Sequence, residues 1–135
     1  MLAYVVAYAC AAIVFVTGDA AWLTLVGPQL YRPVLGPLLA DRLNGGAAAA
    51  FYLTYLAGVV FLAVAPALPS GAWRTAALNG LVLGLVAYGT YDLTNQATLK
   101  LWATRLTLAD MAWGGVLTAV AATAGFLGAR MVKQG

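Results

Sequence analysis

Four long apolar stretches alternate with short polar breaks along the chain. They run from about Leu2 to Val26, Ala47 to Leu68, Thr75 to Leu99 and Leu106 to Met131. Each reaches the roughly 20 apolar residues that a helix needs to cross a bilayer. The breaks hold turn residues: Gly27-Pro28, Asn44-Gly45-Gly46, Pro66 with Pro69-Ser70-Gly71, and Lys133-Gln134-Gly135. A segment in hydrocarbon must pair its backbone polar groups internally, so each stretch is expected to be a helix. The pattern predicts an all-α integral membrane four-helix bundle, a single transmembrane domain over residues 1–135 with both termini on the same side. The first stretch lacks a basic start and its apolar run continues to Trp22 and Leu25, so it reads as a retained helix and not a signal peptide.

Few polar positions interrupt the spans, and they converge in depth. Take the side opposite the termini as the reference. Asp19 lies eight residues before Gly27 of the Gly27-Pro28 break, and Asp92 lies eight residues before Lys100. Both then sit roughly 12 Å inside that end, and Asp110, five residues after Arg105, roughly 7 to 8 Å inside. A charged Asp near the bilayer centre costs about 2.5 to 3.5 kcal/mol on insertion scales, and such residues usually face the bundle interior. Three acids around one pocket could share protons, a cation or hydrogen-bond donors. The neighbours fit that reading. Tyr88, Tyr91, Asp92 and Asn95 follow i, i+3, i+4, i+7 spacing on one helical face. Tyr8, Phe15, Asp19 and Trp22 share a face of the first span, Tyr52 and Tyr55 stand on consecutive turns of the second, and Trp113 follows Asp110 by three residues. The expected site is a polar layer of Asp19, Trp22, Tyr55, Tyr88, Tyr91, Asp92, Asn95, Asp110 and Trp113.

Local structure offers other roles for some of these residues. Thr107 to Asp110 matches a capping box that would start the fourth helix. Asp92 and Asn95 could act as interhelical glue. Trp73, Trp102 and Tyr52 fall where interfacial belt residues sit. The repeated D-x-x-W at Asp19–Trp22 and Asp110–Trp113 places the two indoles at different depths relative to their acids, which speaks against a duplication. The first loop, Pro28 to Gly46, holds Pro28, Pro33 and Pro37 and an apolar piece, VLGPLLADRL. It could lie at the interface, fold over the bundle mouth or merely connect.

Composition narrows the class. Of 135 residues, 64% are hydrophobic and only 8% charged, against roughly 25% charged in soluble domains. The net charge of +3 sits in loops and tails and suits anionic headgroups, with no basic stripe for nucleic acid. The loop cations divide Arg74, Arg130 and Lys133 on one side from Arg32, Arg42, Lys100 and Arg105 on the other, which assigns no orientation. There is no His and no Glu, Ser70 is the sole serine, and Cys10 is a lone cysteine in an apolar run. These absences exclude a His-ligated haem, a Cys/His zinc site and a Ser–His triad, so no metal and no cofactor is expected. Gly80 with Gly84, and Gly114, Thr118, Ala121 and Gly125, form small-residue stripes that allow close helix approach, within the chain or to a second copy or partner subunit.

The segments GDAAWL, FYLTYLAGVVFLAV, AYGTYDLTNQATLK and LTLADMAWGGVL make the chain resemble a bacterial family of predicted membrane proteins, domain of unknown function 2177. The resemblance covers nearly the whole chain. It carries over Asp19, Trp22, Asp92, Thr94, Asn95, Asp110 and Trp113, and implies four helices, a bacterial inner-membrane location and a lipid-related role. Four functions compete: a site for a membrane lipid or small amphiphile, a membrane enzyme acting on one through paired carboxyls, a proton or cation transporter component, and a structural accessory subunit. The single polar layer favours the binding site.

Overall fold

In the computed structural model, which describes residues 1–134, the chain is helical and has no strand among the described residues. Helix α1 spans Leu2–Leu25. Two single-turn helices follow, α2 (Gly27–Leu30) and α3 (Arg32–Leu35), then a tight turn over Gly36–Leu38. Helix α4 covers Gly45–Val59 and continues through a widened turn, Val60–Val64, and a tightened one, Ala65–Ala67. Helices α5 (Trp73–Thr98) and α6 (Thr104–Gln134) complete the chain.

Local chemistry explains these boundaries. Pro28 and Pro33 sit in the first turns of α2 and α3, where a missing N–H costs nothing. The Asn44 side chain caps α4 by accepting from the Ala47 amide at 3.1 Å. Pro66 removes a helical donor and crowds the preceding turn, and the ladder loosens over Val60–Val64 just before it. Gly71 takes φ +67°, and its carbonyl accepts from Arg130 Nη1 at 2.7 Å, which ties the α4–α5 turn to the far end of α6.

Three helical segments are long and apolar enough to cross a membrane: Leu2–Leu25, Gly45–Ala67 and Thr104–Lys133. The 26 residues of α5 are long enough, but Asn79, Asp92, Asn95 and Gln96 lower its hydropathy, so composition marks three spans where the apolar pattern predicts four. Helix α6 packs along both α5 and α1. The contacts descend on α6 as they rise on α5: Gly80 meets Thr118 and Ala122, Gly84 meets Gly114 and Gly115, and Gly89 meets Met111. The two helices are therefore antiparallel. A Cβ at Gly84 would stand 2.4 Å from the Gly114 carbonyl oxygen, so the backbones touch there. Gly125 likewise lies against Ala7 and Ala11 of α1. The small-residue stripes are thus engaged within the chain.

The burial pattern is small inside and large outside. Ala3, Ala7, Ala11 and Phe15 form the inner face of α1, against Val59, Ala63, Val64, Ala121 and Phe126. Leu2, Ile13, Phe61, Leu78, Val82, Val86, Val120 and Met131 are exposed. Without a hydrophobic drive between helices in lipid, small residues at contacts and large ones facing outward are the expected arrangement.

Candidate functional site

At one end of the helices the interior changes from alanine to acids and aromatics. Asp19 and Trp22, one turn apart on α1, face α6 and α4. The Asp19 carboxylate accepts from the Tyr52 hydroxyl of α4. Trp22 lies flat on Trp113 of α6, ring centroids 4.8 Å apart and planes 6° from parallel. Close approach of α1 and α6 permits this: a Cβ at Gly18 would be 2.5 Å from Leu117 Cδ1. The two D-x-x-W motifs thus meet through their indoles, an encounter that antiparallel packing produces without any duplication.

The first loop closes the arrangement. Trp22 Nε1 donates to the Tyr31 hydroxyl at 2.9 Å, and that hydroxyl donates to Asp110 of α6. Burial, then the bond to Asp110, pushes the Tyr31 phenol well above its ordinary range, so it stays a donor near neutral pH. Tyr31 had no place among the expected site residues, because it lies in a proline-broken loop that shows no periodicity. Its one sequence signal is an aromatic residue between Pro28 and Pro33. Tyr52, weighed both as a neighbour of the pocket and as an interfacial belt residue, bonds Asp19.

Helices α4 and α5 supply the walls. Phe51 and Tyr55 stack at 5.4 Å, Phe15 packs against both, and the Tyr55 hydroxyl bonds Thr118 Oγ1 at 2.8 Å. Tyr88 lies over Gly114, where a Cβ would sit 2.2 Å from its ring. Tyr91 is half exposed and meets Trp102 edge-on at 5.8 Å. Asp92 is fully buried, neither carboxyl oxygen has a hydrogen-bond donor, and the group adjoins the carboxyl of Asp110.

These parts surround a cleft of about 590 Å³, within the usual range for small-molecule sites. Its polar wall is Asp19, Asp110 and Tyr31. Its apolar and aromatic walls are Leu23, Phe51, Tyr55, Ala87, Tyr88 and Tyr91. Pro28, Leu35 and Leu39 of the first loop cover it, with Arg32 exposed beside them. Of the nine expected residues, Asp19, Tyr55, Tyr88, Tyr91 and Asp110 line the cleft. Trp22 and Trp113 form the stacked pair beside it, and Asp92 lies behind Asp110. Asn95 is half-buried and outside the lining. Its neighbour Gln96 makes the polar contacts, accepting from Thr107 at 2.7 Å and donating to Thr104 at 2.9 Å.

Asp110 does not cap α6. The helix begins at Thr104, and the Thr107 hydroxyl bonds Gln96 and accepts from Trp102 Nε1 at 2.9 Å. Among the described residues no three His, Cys, Asp or Glu side chains are grouped to hold a metal ion. Chemically the cleft offers carboxyl acceptors, phenolic hydroxyls and aromatic rings at one end of a packed apolar interior. No curated protein and no solved structure matches the chain. The family described as predicted membrane protein, DUF2177, matches residues 4–127, a range that holds every residue of the cleft, and the chain belongs to that family.

Proposed function

We propose that this is a multi-pass protein of the bacterial cytoplasmic membrane whose four long helices form a transmembrane bundle, and that the acidic cleft binds a membrane lipid or small amphiphile. The observation that carries the reading is the cleft itself. A volume of about 590 Å³ joins two carboxyl groups, Asp19 and Asp110, to a wall of Leu23, Phe51, Tyr88 and Leu39, which is the polar-head and apolar-tail division of an amphiphile. Support for α5 as the fourth crossing comes from its outer face. Leu78, Val82, Leu85, Val86 and Leu93 are exposed there, while Asp92 is turned inward. The lipid-related role implied by the family resemblance points the same way.

Asp19, Asp92 and Asp110 lie at one end, and beyond them the core includes Ala7, Ala11, Val59, Ala63 and Phe126. That apolar stretch favours binding over a proton or cation path through a single chain. The test is occlusion. Ala87 lines the cleft and is partly buried. Purified in nanodiscs and released for native mass spectrometry, the wild-type protein is expected to retain a lipid or amphiphile adduct that the Ala87→Trp protein loses. Equal adducts on both proteins would refute the binding role.

A further inference from the structure

The cleft is short of positive charge. Asp19 and Asp110 line it, and Asp92 is packed behind Asp110 with both oxygens unpartnered and no exposure. The partners that Asp19 and Asp110 do have are phenols, Tyr52 and Tyr31. A phenol donates a hydrogen bond but cancels no charge. The one basic residue in the lining, Arg32, is exposed. The lining also holds the rings of Phe51, Tyr55 and Tyr88, whose π electrons attract cations.

We infer that the cleft selects amphiphiles whose head carries a positively charged nitrogen. The inference deepens the binding role proposed above and rests on it. An ammonium group seated between Asp19 and Asp110 supplies the missing counter-charge and meets the aromatic faces, while its alkyl chain lies along Leu23, Leu35 and Leu39. A neutral sugar head of equal size leaves the carboxylates uncompensated, and an anionic head is repelled.

The experiment uses the full chain in nanodiscs and four probes with the same alkyl chain, each below its micelle-forming concentration. They are dodecyltrimethylammonium, dodecylphosphocholine, dodecyl maltoside and dodecyl sulfate, with Kd read by calorimetry. At least one ammonium probe is expected to bind about tenfold tighter than the maltoside, and the sulfate weakest. Equal binding of both ammonium probes points to a phospholipid headgroup, and preference for the trimethylammonium probe alone points to a simple amine amphiphile. Asp19→Asn and Asp110→Asn are each expected to bring the ammonium-to-maltoside ratio towards one. Asp41→Asn removes the same charge from the exposed loop and leaves the ratio intact. Equal affinity for ammonium and maltoside in the wild-type protein overturns the head preference while cleft binding stands. If no probe distinguishes wild type from Ala87→Trp, the binding role falls as well. Should an Asn variant fail to purify folded, the probe series on the wild-type protein decides alone.

Discussion

Tyr31 is the residue on which the first loop turns. Its hydroxyl is both the acceptor for Trp22 Nε1 and the donor to Asp110, so it links α1, the loop and α6 in one chain of bonds. Tyr31→Phe keeps the ring and takes away the hydrogen-bond partner of a half-buried indole N–H and of the Asp110 carboxyl. Each such loss costs roughly 1 to 3 kcal/mol when water cannot substitute. The expected result is a lower Tm and faster hydrogen exchange across residues 27–38, with α5 and α6 unaffected; unchanged exchange in that segment would show that the tyrosine does not anchor it. Asp92 makes the opposite prediction. Its carboxyl oxygens lack donors and it adjoins Asp110, so Asp92→Asn keeps the shape and adds a donor. Stability is expected to hold or rise by about 1 kcal/mol. A clear fall in Tm would mean that the acid itself is needed at that position.

At the scale of elements, the α5–α6 pair depends on missing side chains. Gly84 meets the backbone of Gly114 and Gly115, and Gly114 receives the ring of Tyr88. An added methyl must separate the helices or displace a cleft wall. Gly84→Ala and Gly114→Ala are each expected to cost roughly 1 to 3 kcal/mol. Gly58 of α4 has no neighbour within 4 Å of an added Cβ, so Gly58→Ala is expected to be neutral or stabilising by up to about 1 kcal/mol. Thermal unfolding of the three variants side by side checks this, and similar Tm values for all three would refute the close packing. The GxxxG spacing was readable in the sequence. Its partner was not, because a small-residue stripe states only that something comes close.

For the whole molecule, the four crossings proposed above would put the turn at Ser70 and the C-terminal end on one side, and the first loop and Lys100 on the other. In a Cys10→Ala background, Ser70→Cys and Lys133→Cys are expected to react with an impermeant thiol reagent from one face of sealed vesicles, and Asp41→Cys and Lys100→Cys from the opposite face. Labelling of Ser70→Cys and Lys100→Cys from the same face would show that α5 does not span. The composition of α5 alone does not decide the matter. Its polar residues serve the interior while its outward Leu78, Val82 and Val86 face where lipid would be, and a hydropathy average mixes the two faces.

The sequence by itself determined the helical, membrane-embedded class, since so few charges cannot cover a soluble surface and long apolar runs in lipid must close their own hydrogen bonds. It also brought out five of the fourteen residues that line the cleft. Asp19, Tyr55, Tyr88, Tyr91 and Asp110 follow from helical periodicity and depth, quantities local to one element. Only the tertiary structure decided the rest. It brought Tyr31 onto Asp110, stacked Trp22 on Trp113, set Asp92 behind the cleft and left Asn95 outside its lining while Gln96 bonds across to α6. Those outcomes depend on how helices rotate about their axes and where an aperiodic loop folds back, and both are fixed by contacts between residues far apart in the chain.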